Sequence, residues 1–95
     1  MRITWNRQAI RDLDEIAIYI ANDSPQNAAL VETRIHRTAI ALSEFPLVGR
    51  LGRIAGTRER VVGRTPFILI YRVEPDEIRI LRVIRGTRKW PKGFA

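Results

Sequence analysis

Apolar side chains change their spacing about halfway along the chain. Between residues 7 and 45 they recur at steps of three and four; from residue 58 onward they gather into short β-branched and aromatic runs. The first regime predicts helices and the second predicts strands. Ala9, Ile10, Leu13, Ile16, Ala17 and Ile20 form one stripe, which predicts an amphipathic helix over about residues 7–21. Asn6 is placed to cap it, and Asp12, Asp14 and Glu15 are expected on its solvent face. Ser24 can cap a second helix whose first turn accommodates Pro25, where no N–H is needed. Its stripe is Ala28, Val31, Ile35, Ala39, Leu42 and Phe45, and Pro46 is expected to stop it. So short a joint predicts an antiparallel αα-hairpin.

The sheet is expected to centre on residues 67–73, Phe-Ile-Leu-Ile-Tyr-Arg-Val, apolar enough to be covered on both faces. Strands at 58–62 and 78–84 flank it, separated by Gly63-Arg64-Thr65-Pro66 and Glu74-Pro75-Asp76-Glu77, both rich in turn residues. Period-two alternation puts Ile78, Ile80 and Ile84 on one face of the last strand, with Leu81 and Val83 on the other. Residues 2–5 add a further strand, and Trp5 is expected in the core. Residues 46–57 are expected to form a surface loop: their three glycines do not follow G-x-G-x-x-G, and no G-K-[ST] follows. The predicted fold class is α+β, in the order β-α-α-β-β-β, with an antiparallel sheet packed on the αα-hairpin. At 95 residues it is expected to be one domain over 1–95.

Charge alters this picture more than composition does. Seventeen basic residues face ten acidic ones, a formal net charge of +7. The surplus is local: from Arg50 onward twelve basic side chains face four acidic ones, whereas the first half is close to neutral. Such a surface suits an anionic partner. The absence of cysteine excludes disulfides and thiolate chemistry, and a single histidine excludes a histidine-rich metal site. No apolar run approaches the roughly 18–20 residues of a membrane span. With no signal-like segment after Met1, the expected compartment is the cytoplasm.

Several short pieces occur in a telling order. They are Ala9, Asp12-Leu13, Ile16 and Tyr19-Ile20; Ser24-Pro25 and Ala28; Phe45-Pro46 and Gly49-Arg50; then Gly56-Thr57-Arg58-Glu59. The strand over 66–73 follows, and Ile80-Leu81-Arg82-Val83-Ile84-Arg85-Gly86-Thr87-Arg88-Lys89-Trp90 completes the set. In this order the chain resembles, nearly end to end, the RelE/ParE superfamily of toxins from bacterial type II toxin–antitoxin modules. The resemblance implies a small toxin without metal or cofactor, neutralised in a hetero-oligomer by an antitoxin that wraps it. Contact with DNA is then expected only through the antitoxin, and this chain has no helix-turn-helix or RNP pattern of its own.

The superfamily divides by target. The RelE-like branch cuts mRNA on the ribosome and usually has an arginine after the aromatic residue opening the central strand; here that position is Ile68. The lysine pair of the preceding strand falls near Glu59 and Val61, Arg85 stands where some members have histidine, and only Arg88 matches. Cleavage by 2′-OH attack requires groups that accept and return a proton, and arginine does neither. The remaining candidates are Glu59, Tyr71 and His36, expected as an arginine's ion partner, a core tyrosine and an ordinary helix residue. The ParE-like branch binds and traps DNA gyrase without chemistry of its own. That role fits an apolar central strand followed by a basic, tryptophan-bearing tail, and it is the expected function. Arg82, Arg85, Arg88, Lys89 and Trp90 are the expected target contacts, and Arg58, Arg60 and Arg64 the expected antitoxin contacts. The alternative is a ribosome-dependent mRNA endoribonuclease.

Overall fold

Both helices form where the spacing places them. In a computed structural model, which describes residues 1–86, α1 spans Arg7–Ala21 and α2 spans Pro25–Ala41. Ser24 caps α2 by accepting a hydrogen bond from the Asn27 amide, with Pro25 in the first turn. Asn6 occupies the N-cap position of α1, yet its side chain makes no capping bond. Its Oδ1 accepts from Arg79 and its own amide donates to the Ile80 carbonyl, so Asn6 ties the helix start to the sheet.

α2 ends one turn earlier than Pro46 alone suggests. After Ala41 the amides of Leu42, Ser43 and Glu44 bond three residues back, and the Ser43 hydroxyl donates to the Ile40 carbonyl at 2.7 Å. That local bond competes with the helical pattern. Phe45 consequently leaves the buried stripe and is 63% exposed.

Five strands follow the order β1-β5-β4-β3-β2: β1 is Arg2–Trp5, β2 Arg50–Leu51, β3 Arg58–Val61, β4 Phe67–Val73 and β5 Glu77–Arg85. The meander β3-β4-β5 is antiparallel, as its turns require. β1 runs parallel to β5, which makes the sheet mixed, and β2 is a two-residue strand inside the stretch expected to be loop. Two residues flanked by glycines are too short to show a period in the sequence.

The helical layer covers one face. Ala9, Ile35, Ala39 and Leu42 meet Val62, Phe67, Leu69, Tyr71, Ile78, Ile80 and Val83, with Trp5 packed beside them. Each fully buried Leu or Ile contributes about 1.5–3 kcal/mol, against about 1 kcal/mol for the Ser24 cap. Packing therefore decides where the hairpin sits. Ile70, Leu81 and Ile84 form a smaller cluster on the opposite face. The expected alternation in β5 fails at this point. A register shift opposite Ile70/Tyr71 leaves Leu81 without a partner, so Ile70 faces Arg82 while Tyr71 faces Ile80. The bulge swaps the phase. Val83 joins Ile78 and Ile80 beneath the helices, and Ile84 joins Leu81.

The connector after α2 is fastened by Tyr71. Its hydroxyl donates to the Pro46 carbonyl at 2.8 Å and accepts from the Gly49 amide at 2.9 Å. A Cβ at position 49 would lie 2.5 Å from that hydroxyl and 2.8 Å from the Glu59 carbonyl. Because one of these neighbours is backbone, the clash has no soft outlet. Gly49→Ala is expected to lower unfolding free energy by about 1–3 kcal/mol, measured by denaturant titration. Tyr71→Phe is expected to lose less than the glycine substitution.

Candidate functional site

β5 outruns β1. β1 pairs along Glu77 to Ile80, and beyond that point α1 rather than another strand lies beside β5. There Asp12 replaces the missing neighbour: its carboxylate accepts from the Val83 amide at 2.9 Å. It also accepts from Arg82 Nε at 2.8 Å and Arg82 NH2 at 3.1 Å. Asp12 is 3% exposed and the Arg82 side chain 16%, so this is a buried bidentate pair. Asp12 is therefore not on a plain solvent face, as expected from its charge. Its spacing from Ala9 and Ile16, three and four residues, could have revealed it. Arg82, expected among the target contacts, is committed to the fold.

Arg85 behaves differently. It is exposed at the end of β5, with its guanidinium 5.9 Å from the Tyr19 ring centroid and 5.8 Å from that of Phe67. Two aromatic faces at that range hold a cation without neutralising it. Together with Asp12, Glu15, Ile16 and Val83 they line an open concavity of about 340 Å³. Arg88, Lys89 and Trp90, the other expected target contacts, lie outside the described residues.

The three candidate proton carriers stand apart from one another in role. Glu59 is an ion partner, as expected: Arg50 NH2 approaches to 2.9 Å and Arg53 Nε to 3.7 Å, and the Arg53 amide donates at 2.8 Å. Its side chain is 2% exposed. Tyr71 is a buried core residue with both hydrogen bonds satisfied, and burial pushes its phenol above the ordinary value. His36 stacks at a tilt on Trp5, ring centroids 5.2 Å apart, within the helical layer. Among the described residues no cluster of His, Cys, Asp and Glu could hold a metal ion, and no helix is long and apolar enough to cross a membrane.

The three expected antitoxin contacts divide as well. Arg58 is partly buried and donates to the Gly49 carbonyl at 2.9 Å, which binds the connector to β3. Arg60 is exposed beside α2, and Arg64 sits in the β3–β4 turn with φ 62°. Arg60 lines a groove of about 320 Å³ with Leu42, Phe45 and Val48, which sequence periodicity did not reveal because the exposed Phe45 lies on the continuation of a buried stripe.

A helical hairpin on a five-stranded mixed sheet is the architecture that this chain shares with solved chains of ParDE and RelBE toxin–antitoxin systems. A chain of the chromosomal ParDE toxin–antitoxin system from P. aeruginosa matches it with a TM-score of 0.81 at 32% identity, covering 90% of this chain and 95% of that one. A chain of the RelBE2 toxin–antitoxin complex from Mycobacterium tuberculosis matches with a TM-score of 0.61 at 27% identity, covering 88% and 95%. The chain belongs to the ParE toxin family of the type II toxin–antitoxin system parDE, whose profile matches residues 3–90. Y4kP of Sinorhizobium fredii, named for an inferred toxin role, is 45% identical over 91 residues, covering 96% of this chain and 94% of its own length. Toxin RelE2 of Caulobacter vibrioides is 33% identical over 87 residues, covering 92% and 97%.

Removing one partner of a buried ion pair strands the other. Asp12→Ala is therefore expected to cost about 3–5 kcal/mol, a large share of the roughly 5–15 kcal/mol available to such a domain. Chemical denaturation measures it. A double substitution, Asp12→Leu with Arg82→Met, is expected to recover much of the loss.

Proposed function

We propose that this toxin acts by occupying a surface of DNA gyrase, in the cytoplasm, without chemistry of its own. Its target contacts are Arg85 and the segment that follows, with Arg88, Lys89 and Trp90. One observation carries the reading: the three candidate proton carriers, Glu59, Tyr71 and His36, are engaged elsewhere. Glu59 is enclosed by two arginines, Tyr71 is bonded to the connector, and His36 lies against Trp5 in the helical layer. RNA cleavage needs a base and an acid about one hydrogen bond from the reacting oxygens. Arginine supplies only charge stabilisation.

Arg85, in contrast, is presented as a binding group. Its aromatic flank fixes the guanidinium while leaving its donors for a carboxylate or phosphate. Arginine and tryptophan are the residue types that dominate interface energies. The ribonuclease reading draws on the likeness to Toxin RelE2 and rests on Arg88 alone among the positions that match that branch.

Purified protein is expected to inhibit gyrase supercoiling and to leave ribosome-bound transcripts intact. Arg85→Ala and Trp90→Ala are each expected to weaken inhibition about tenfold or more, the size of losing one interface anchor, with thermal unfolding unchanged. Cleavage of ribosome-bound mRNA with supercoiling unaffected would refute the gyrase assignment. Full inhibition by both variants would refute the assignment of contacts.

A further inference from the structure

Beside the Arg85 guanidinium, β5 presents a second means of binding in its main chain. Gly86 donates to the Pro66 carbonyl at 2.9 Å, and the Phe67 carbonyl accepts from Val62 on the far side of β4. These bonds set the alternation of the β4–β5 ladder. Ile84 and Gly86 bond to β4, whereas the main chains of Val83 and Arg85, opposite Leu69 and Phe67, point away from it. The Val83 amide has the same phase, because it donates outward to Asp12 at 2.9 Å.

On that side β1 has ended, its last partner in β5 being Ile80. Asp12 takes the Val83 amide, and among the described residues no strand meets the Val83 carbonyl or the Arg85 amide. One residue of a segment running parallel to β5, as β1 does, can donate to the first and accept from the second. Side chains complete the site. Ile16, Phe67 and Val83 line the concavity, with Arg85 on its strand side and Glu15 and Tyr19 on its helix side. Tyr19 is 65% exposed, its ring 5.9 Å from the guanidinium.

We infer that this edge holds an extended segment of the toxin's target, bonded main chain to main chain at Val83 and Arg85 and carrying a carboxylate against the Arg85 guanidinium. Resting on the reading of Arg85 as a target contact, the site adds Tyr19 and the strand edge to that contact. Main-chain bonds then supply affinity, and the concavity selects the side chains. A nucleic-acid backbone offers phosphate acceptors, which would leave the Val83 carbonyl unmet, and Glu15 repels it. A second copy pairing through the same edge would bring Arg85 beside Arg85 and a further charge of +7.

The test uses the full chain with and without gyrase. Amide hydrogen exchange is read over Val83–Gly86, alongside supercoiling inhibition and growth arrest for Tyr19→Ala and Tyr19→Phe. The Arg85 amide is expected to exchange freely in the toxin and to become protected in the complex. Tyr19→Ala is expected to weaken inhibition about tenfold or more. Tyr19→Phe, which keeps the ring over the guanidinium, is expected to stay within about twofold of the parent. Tyr19 is exposed, so the unfolding midpoint should hold in both variants. Inhibition by the parent together with full inhibition by Tyr19→Ala, or with an Arg85 amide that gains no protection, overturns the inference and leaves the gyrase reading standing. Protection already present in the free toxin also overturns it: the cover is a second copy where protection rises with concentration, and the chain itself where it does not. If the parent leaves supercoiling untouched, the gyrase reading falls and growth arrest decides the site. Arrest lost with Tyr19→Ala and kept with Tyr19→Phe sustains it for a different target, and arrest kept by both overturns it.

Discussion

Four hydrogen bonds converge on the Asp12 carboxylate, from Arg82 twice, from the Val83 amide and from Gln8. That convergence fixes how the helical layer sits on the sheet. β1 has only four residues, so β5 continues past it with an edge that a neighbouring strand would otherwise satisfy. A buried amide left there would cost about 1–3 kcal/mol. Asp12 satisfies it from a helix, and a carboxylate so buried tolerates no sliding of α1 by a residue. Apolar packing favours the layer as a whole, but it is non-directional; the ion pair supplies the register.

The same pair bears on the bulge in β5. Leu81 is the unpaired residue immediately before Arg82 and Val83, both of which bond Asp12. A bulge shifts the phase of every side chain after it. Here it brings Val83 beneath the helices and puts Arg85, two residues on, on the same side, beside Tyr19 and Phe67. The exposed cation at the strand end therefore owes its aromatic seat to an irregularity four residues earlier. Arginines in this chain consequently serve two ends. Arg50, Arg53, Arg58, Arg79 and Arg82 hold connectors and strands together, whereas Arg37, Arg60 and Arg85 are exposed among the described residues.

Much of this was legible in the residues because local preference and final environment agree. α1, the start of α2 and the central strand carry periodic or continuous apolar runs, and each formed where its pattern lies. Glu59 pairs with arginines, Tyr71 is a core residue and His36 lies within α2, as their patterns suggested. Most of the failures share a cause: they depend on something distant in sequence. Asp12 meets a partner seventy residues on. β2 exists only because β3 pairs with it, and β1 shows its parallel direction only once β5 is in place. The alternation of β5 broke at a bulge whose partner lies on another strand. Phe45 fits its stripe by spacing, but Ser43 unwinds the helix before the stripe reaches it. Candidate sites were legible as composition, basic and aromatic near the end of the chain, but which arginines are free is a property of their carboxylate neighbours.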